Sequence, residues 1–261
     1  MPSPTVYLIT GANRGDQLLQ PSRIGQGLLA TYLARSNTTV IAGVRDPTHP
    51  TVKTLTTLPK GSSSTLIIVK IDSASETDAA AAIKTLESEH HITSFDTVIA
   101  NAGICKPQGF GPVAGLKIDD VKEHVDVNAI GPLVLFQATL PLLQKAAHGP
   151  GKFITVSSPI GSIGGMEQRP FPMAAYGASK AMVNYLTRKI HFEHEDLIAF
   201  AVDPGFVQTD LGNKGAAFFG MKEATTPTKD SVEGLVKAID GATREKTSGH
   251  FPDFEGGEFA W

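Results

Sequence analysis

Cys105 is the only cysteine in the chain, so an internal disulfide is excluded. Its simplest reading is as a small buried apolar side chain. No dense run of Lys and Arg occurs, and the formal net charge is −3. That balance argues against nucleic acid as a partner. No apolar run approaches the length of a membrane span, so no membrane partner is expected. Met1-Pro2-Ser3-Pro4 has neither the basic nor the apolar region of a secretory leader, and the expected address is cytoplasmic. Asn37-Thr38-Thr39 fits a glycosylation sequon, which means little without such a leader. His191 and His194 share a helix face, but no third ligand stands at a convincing spacing, so no metal is expected. No Pro/Ser linker, low-complexity tract or repeat divides the sequence, and one domain over residues 1–261 is expected.

What is present is the composition of a globular enzyme, 41% hydrophobic and 19% charged. Short β-rich runs stand at residues 5–10, 39–44, 66–71, 97–100, 153–157 and 198–202. Helical patterns lie between and after them, near 24–34, 76–89, 116–145, 175–195 and 231–242. The strands are near-continuous Val/Ile/Leu runs without polar alternation, as expected when helices cover both faces of a parallel sheet. The fold class is therefore α/β, a single-domain, doubly wound parallel sheet of Rossmann type.

In that architecture ligands bind at the carboxyl ends of the strands. Four of those ends carry suggestive residues: Gly11-Ala12-Asn13-Arg14-Gly15, Gly43-Val44-Arg45-Asp46, Asp72, and Asn101-Ala102-Gly103. Each is weak alone, because glycines after strands are usually turns. Further on, "AAYGASK" places Tyr176 and Lys180 one helical turn apart. A lysine ammonium beside a phenol favours the phenolate, which would bring Tyr176 toward a useful acid/base range. At this spacing the pair is also commonplace as a solvated surface couple. Ser157-Ser158 end the fifth strand with hydroxyls able to polarise a carbonyl.

Taken together, TGxxxG, Asn101-Ala102-Gly103, Asn128, Ser158, Tyr176-x-x-x-Lys180 and Asp203-Pro204-Gly205 resemble the short-chain dehydrogenase/reductase family, in the family's order. The stretches "TVYLITGA", "DPGFVQTDLGNKGA" and "ATREKTSGHF" are similar to its norsolorinic acid ketoreductase group. The resemblance implies an NADP(H)-dependent ketoreductase that acts on a small-molecule ketone, bulky and aromatic in the manner of a polyketide. It implies Tyr176 as the general acid and Lys180 as the group that lowers its pKa and binds the nicotinamide ribose. Ser158 would hold the carbonyl oxygen, being the second serine of "SSxxG" with Gly161 in place, and Asn128 would hold a proton-relaying water. For the cofactor it implies Gly11, Asn13, Arg14, Gly15 and Ile24 at the phosphates, Asp72 at the adenine, and Asn101 with Gly103 on the adenosine side. Pro204, Gly205, Val207 and Thr209 would line the nicotinamide. It also implies a homodimer or homotetramer through the helices near 116–145 and 175–195.

Charge bears on the choice of cofactor. A NAD-specific fold of this kind places an acid after the second strand to meet the ribose 2′-hydroxyl. Here Val44 is followed by Arg45, which suits a 2′-phosphate through charge-assisted bonds, with Arg14 as a second cation. Asp46 dissents, although with Pro47 it reads as the start of a turn. One irregularity interrupts the glycine loop: residues 16–23, "DQLLQPSR", separate Gly15 from the helix at Ile24-Gly25. They either bulge outward, damage the cradle, or reflect a misassigned exon boundary. The aromatic and Gly-rich stretch at 206–222 reads as ordinary packing or as a mobile lid over the substrate. A second functional class stays open, a cofactor-binding regulatory protein impaired by the insertion.

Overall fold

Runs dense in Val, Ile and Thr form six strands: β1 (Thr5–Thr10), β2 (Thr38–Val44), β3 (Thr65–Lys70), β4 (Thr97–Ala100), β5 (Lys152–Val156) and β6 (Ile198–Val202). The computed structural model describes residues 3–13 and 24–261, so Arg14, Gly15 and the insertion at 16–23 lie outside the described residues. All five strand pairings are parallel, in the order β3-β2-β1-β4-β5-β6. β1 pairs on one side with β2 (Tyr7 opposite Val40) and on the other with β4 (Tyr7 opposite Thr97). The chain therefore reverses its direction of travel at the β1/β4 junction, where doubly wound sheets open a crevice.

Helices cover both faces, because strands buried on two sides need two apolar layers. On one face α1 (Ile24–Leu33) and α8 (Thr228–Asp240) pack through Leu28, Leu29, Tyr32, Leu235 and Ile239. On the other, α3 (Asp78–His90) and α5 (Gly131–Leu143) pack through Ile83, Leu86, Leu135, Phe136 and Leu142. The expected helix near 116–145 is two helices, α4 (Ile118–Val125) and α5, joined by a π-helical turn over Asp126–Ile130. The run Ile118–Leu143 is long and apolar enough, by length and composition, to cross a membrane. Leu135, Phe136, Leu142 and Leu143 nevertheless lie in the core beneath the sheet, the place of a central packing helix.

The last long helix before β6 is α6 (Ala174–Glu193). Two short helices were not anticipated: α2 (Val52–Thr56) after β2, and α7 (Asp210–Phe218) after β6. The segment after α8 was not anticipated either. It folds back so that Trp261 O accepts from Gly164 N at 2.8 Å and the Phe259 ring lies 4.7 Å under the Arg169 guanidinium.

Candidate active site

Close approach of backbone to backbone builds the crevice. Gly11 has φ +67°, a conformation that favours glycine, and an added Cβ would come within 3.0 Å of Ala102 Cα. At Gly25, the second residue of α1, a Cβ would meet Asn101 Nδ2 at 2.5 Å and Gly11 O at 2.6 Å. Asn101 stitches the junction by donating from its backbone N to Thr10 Oγ1 (3.1 Å) and from its side chain to Thr10 O (2.9 Å). A cleft of about 450 Å³ opens above this junction. Of the residues singled out in the sequence, Gly11, Asn13, Ile24, Arg45, Asn101, Gly103 and Thr209 line it.

His49, Thr51 and Lys106 also line the cleft and were not foreseen. Asn13 Nδ2 donates to Thr51 Oγ1 at 3.1 Å, a contact across 38 residues that no local pattern announces. The dissenting Asp46 is committed to its own turn, accepting from Thr48 N (2.8 Å) and Thr48 Oγ1 (2.6 Å). Asp72 lies apart from the cleft: it accepts from Ala74 N at 3.1 Å and borders a small recess at the start of α5.

Past β6, Gly205 has φ +86°, and a Cβ there would strike Phe254 and Thr226. Ser231 donates to Pro204 O at 2.7 Å and Val207 pairs with Thr226, so this turn is held from both sides. Thr209 Oγ1 accepts from Gly212 N at 3.1 Å, capping α7.

The acid/base candidates converge between β5 and α6. The two elements are joined by polar pairs: Thr155 with Thr187 (2.9 Å), Ser157 with Asn184 (2.5 Å), and Lys180 Nζ with Val156 O (2.8 Å). Next up this seam, Ser158 accepts from Ile160 N at 3.3 Å through its Oγ and stands close enough to Tyr176 to bear on its phenol. Ser157 is thus spent on the scaffold, while Ser158 carries its hydroxyl at the Tyr176 end of the seam. Gly161 is small because a Cβ would sit 2.6 Å from the Lys180 carbonyl carbon. Lys180 Nζ stands 5.7 Å from the centre of the Tyr176 ring.

The electrostatics differ from the expectation set by spacing alone. Burial pushes the Tyr176 phenol well above its ordinary range, outweighing the opposing hydrogen bond from Ser158. Burial also lowers Lys180 to about 8, against the raising influence of Cys105 and Asp203. The seam therefore holds a protonated phenol beside a lysine that titrates close to neutrality. Asp203, at the end of β6, is raised by burial to about 7.

Asn128 lies in the π-helical turn, almost fully buried. Its Oδ1 accepts from Ile104 N at 2.7 Å, and its Nδ2 donates to Ile104 O (2.9 Å) and Ser179 Oγ (3.0 Å). The side chain is fully engaged in fixing the loop after β4. A Cβ on Gly103 would lie 3.2 Å from Asn128 Oδ1 and 3.7 Å from Lys180 Nζ, which places the end of β4 against the seam.

The sequence profile of the family described as short chain dehydrogenase matches residues 5–217. The chain belongs to this family. Among short chain dehydrogenases it is 47% identical to the norsolorinic acid ketoreductase of Dothistroma septosporum, over 95% of this chain and 88% of that one. It is 42% identical to the norsolorinic acid ketoreductase of Aspergillus parasiticus, over 100% and 92%. Its fold superposes on the NADPH-bound carbonyl reductase from chicken fatty liver with a TM-score of 0.81 at 29% identity, covering 100% of both chains. The protein is accordingly an oxidoreductase of the short chain dehydrogenase family, whose members use a nicotinamide dinucleotide.

Proposed function

We propose that the protein is an NADPH-dependent ketoreductase that reduces the ketone of a bulky, aromatic, polyketide-like substrate to a secondary alcohol. The placement of Ser158, Tyr176 and Lys180 along one seam between β5 and α6 carries this reading, with Lys180 Nζ fixed on Val156 O and 5.7 Å from the centre of the Tyr176 ring. The cradle fits a dinucleotide: Gly11 and Gly25 leave space that any Cβ would fill, and Arg45 stands on the cleft wall where a 2′-phosphate calls for a cation. When bound, the dihydronicotinamide supplies the hydride.

The residues of the chain handle the oxygen and its proton. Ser158 donates to the substrate carbonyl and holds it beside Tyr176. Tyr176, kept protonated by burial, gives its proton to that oxygen as negative charge develops. Lys180, anchored on Val156 O, stabilises the phenolate left behind and meets the nicotinamide ribose. We place a relay water at the Asn128 backbone carbonyl, since its side chain is committed to Ile104 and Ser179.

The substrate enters under the segment 206–222, which we read as a lid. Phe218 packs edge-on to Phe110 (4.7 Å), and Phe219 lies 5.3 Å from Phe171. This aromatic lining between the lid and the two loops beneath it supports an aromatic substrate, as do the names of the ketoreductase relatives. We further assign a homodimer or homotetramer through α4, α5 and α6, supported by Ile118 and Tyr185, large apolar side chains exposed on α4 and α6.

Turnover of purified protein with NADPH or NADH, against aromatic and small aliphatic ketones, tests the reading. NADPH oxidation with an aromatic ketone is expected. Cofactor binding without oxidation across the whole panel would leave the regulatory alternative standing instead.

A further inference from the structure

His124 is a completely buried titratable group with no part in the chemistry above. It lies on α4, one turn before Asn128. Its Nδ1 is 2.7 Å from Asp120 O, and its Nε2 is 3.1 Å from Lys106 N. A carbonyl only accepts and a backbone N–H only donates, so the proton sits on Nδ1 and the ring is neutral. Both partners are main chain, which fixes the ring in rotation as well as in tautomer.

Two structures meet on that ring. The first is the loop after β4, whose Ile104, Cys105 and Lys106 line the cleft. Asn128 holds the loop at Ile104 and His124 holds it at Lys106, from positions four apart on one helical run. The loop then closes on itself through Gly109 N to Lys106 O at 2.9 Å, and a Cβ on Gly109 would come within 2.8 Å of His124 Cε1 and 3.2 Å of Ala175 Cβ. The second is Tyr176, whose ring meets the imidazole edge-on, with centroids 6.5 Å apart and planes at 81°. Ala175 and Tyr176 open α6, so the Gly109 contact and the imidazole contact bear on the same turn of helix.

We propose that His124 is a positioning residue: it clamps the 104–109 loop to α4 and seats the Tyr176 ring at the mouth of the seam, beside Ser158. This rests on Tyr176 being the acid. Removing the clamp should leave the scaffold and the cofactor cradle standing and slow the proton-transfer step.

The test uses the whole protein with three substitutions at His124 and one at Gly109. Gln can present an acceptor toward Lys106 N, Asn reaches only toward Asp120 O, and Leu does neither. His124→Leu and His124→Asn are expected to lower kcat at least tenfold, with the NADPH dissociation constant within twofold of wild type. His124→Gln is expected to recover to within about threefold of wild type. Gly109→Ala keeps the histidine but drives a methyl group against its ring and Ala175, and should lower kcat in parallel. Three results would each overturn the inference: unchanged kcat in His124→Leu, equal loss in Gln and Leu, or an NADPH affinity that falls together with kcat. Wild type unable to reduce any ketone would instead refute the ketoreductase reading itself, so the two failures are distinguishable.

Discussion

The Ser157 hydroxyl donates to Asn184 Oδ1 at 2.5 Å, inside the seam between β5 and α6. Its neighbour Ser158 leaves the strand, where its Oγ accepts from Ile160 N at 3.3 Å on the side of Tyr176. Successive residues at a strand end point to opposite sides, so two identical side chains acquire different duties. Ser158→Ala should lower kcat by about two to four orders of magnitude at nearly constant melting temperature, the range for a positioned proton or oxyanion partner. Ser157→Ala should keep most of its turnover and lose about 1 kcal/mol of stability, the usual cost of one buried hydrogen bond. Steady-state kinetics beside thermal unfolding of both variants checks the pair. An equal effect on kcat would refute the division.

Tyr176→Phe keeps the ring packing and removes only the proton. A loss of about 10²–10⁴ in kcat is expected with NADPH affinity within twofold, because the phenol acts on the substrate oxygen. Fluorescence titration of NADPH alongside turnover separates the two terms. Turnover near wild type would rule out the phenol as the acid.

Lys180 loses its ammonium as pH rises through about 8, since burial depresses it from the ordinary lysine range. Ketone reduction measured as kcat/KM, which reports the free enzyme, should therefore be level at neutral pH and decline above about 8. The stability effect of Asp203 runs differently. Its folded value is raised to about 7 while the unfolded carboxyl stays near its ordinary acidic value. The folded state then holds a proton that the unfolded state has released, so stability is lost as pH climbs across that window and is level beyond it. Asp203→Asn should gain on wild type in melting temperature between acidic pH and pH 8. A constant difference between the two would show that Asp203 does not titrate in this window.

Arg45→Ala should weaken NADPH by about 1.5–3 kcal/mol, the scale of a hydrogen bond to a charged group, and leave NADH nearly unchanged. Equal weakening of both cofactors would make Arg45 a structural residue and move the 2′-phosphate pocket elsewhere.

The sheet was legible in the sequence because its strands, buried on both faces, are written as unbroken apolar runs. Their boundaries shift by only a residue or so. α2 escaped notice because it is five residues long and buries only Val52 and Leu55. α7 escaped because "DLGNKGAAF" carries two glycines, which lower helix propensity. Gly212 is required there, since a Cβ would overlap Val207 O, and the Thr209 cap compensates. The π-helical turn at Asn128 adds no signal of its own to the helical pattern that runs through 116–145. At the site, motif order picked out Ser158, Tyr176 and Lys180, because their chemistry needs fixed residue types. It did not identify Thr51 and His49, which line the cleft, or His124, which packs against Tyr176 from 52 residues away. Helical spacing likewise shows the lysine beside Tyr176 but not the depth of burial, which is the larger influence on its phenol.

The parallel pairing of Tyr7 with Thr97 means that the centre of the sheet closes only when β4 emerges, after β1, β2 and β3. While residues 5–70 leave the ribosome, β1 can pair with β2 and β2 with β3, but the other edge of β1 has no partner until β4 emerges. Exposed strand edges invite pairing with other chains, and contacts between distant segments are slow to form. The same junction, stitched by Asn101 to Thr10, shapes the floor of the cleft. In a nascent chain the inner edge of β1 therefore stays open for as long as the nucleotide cradle is missing, and one pairing event closes both.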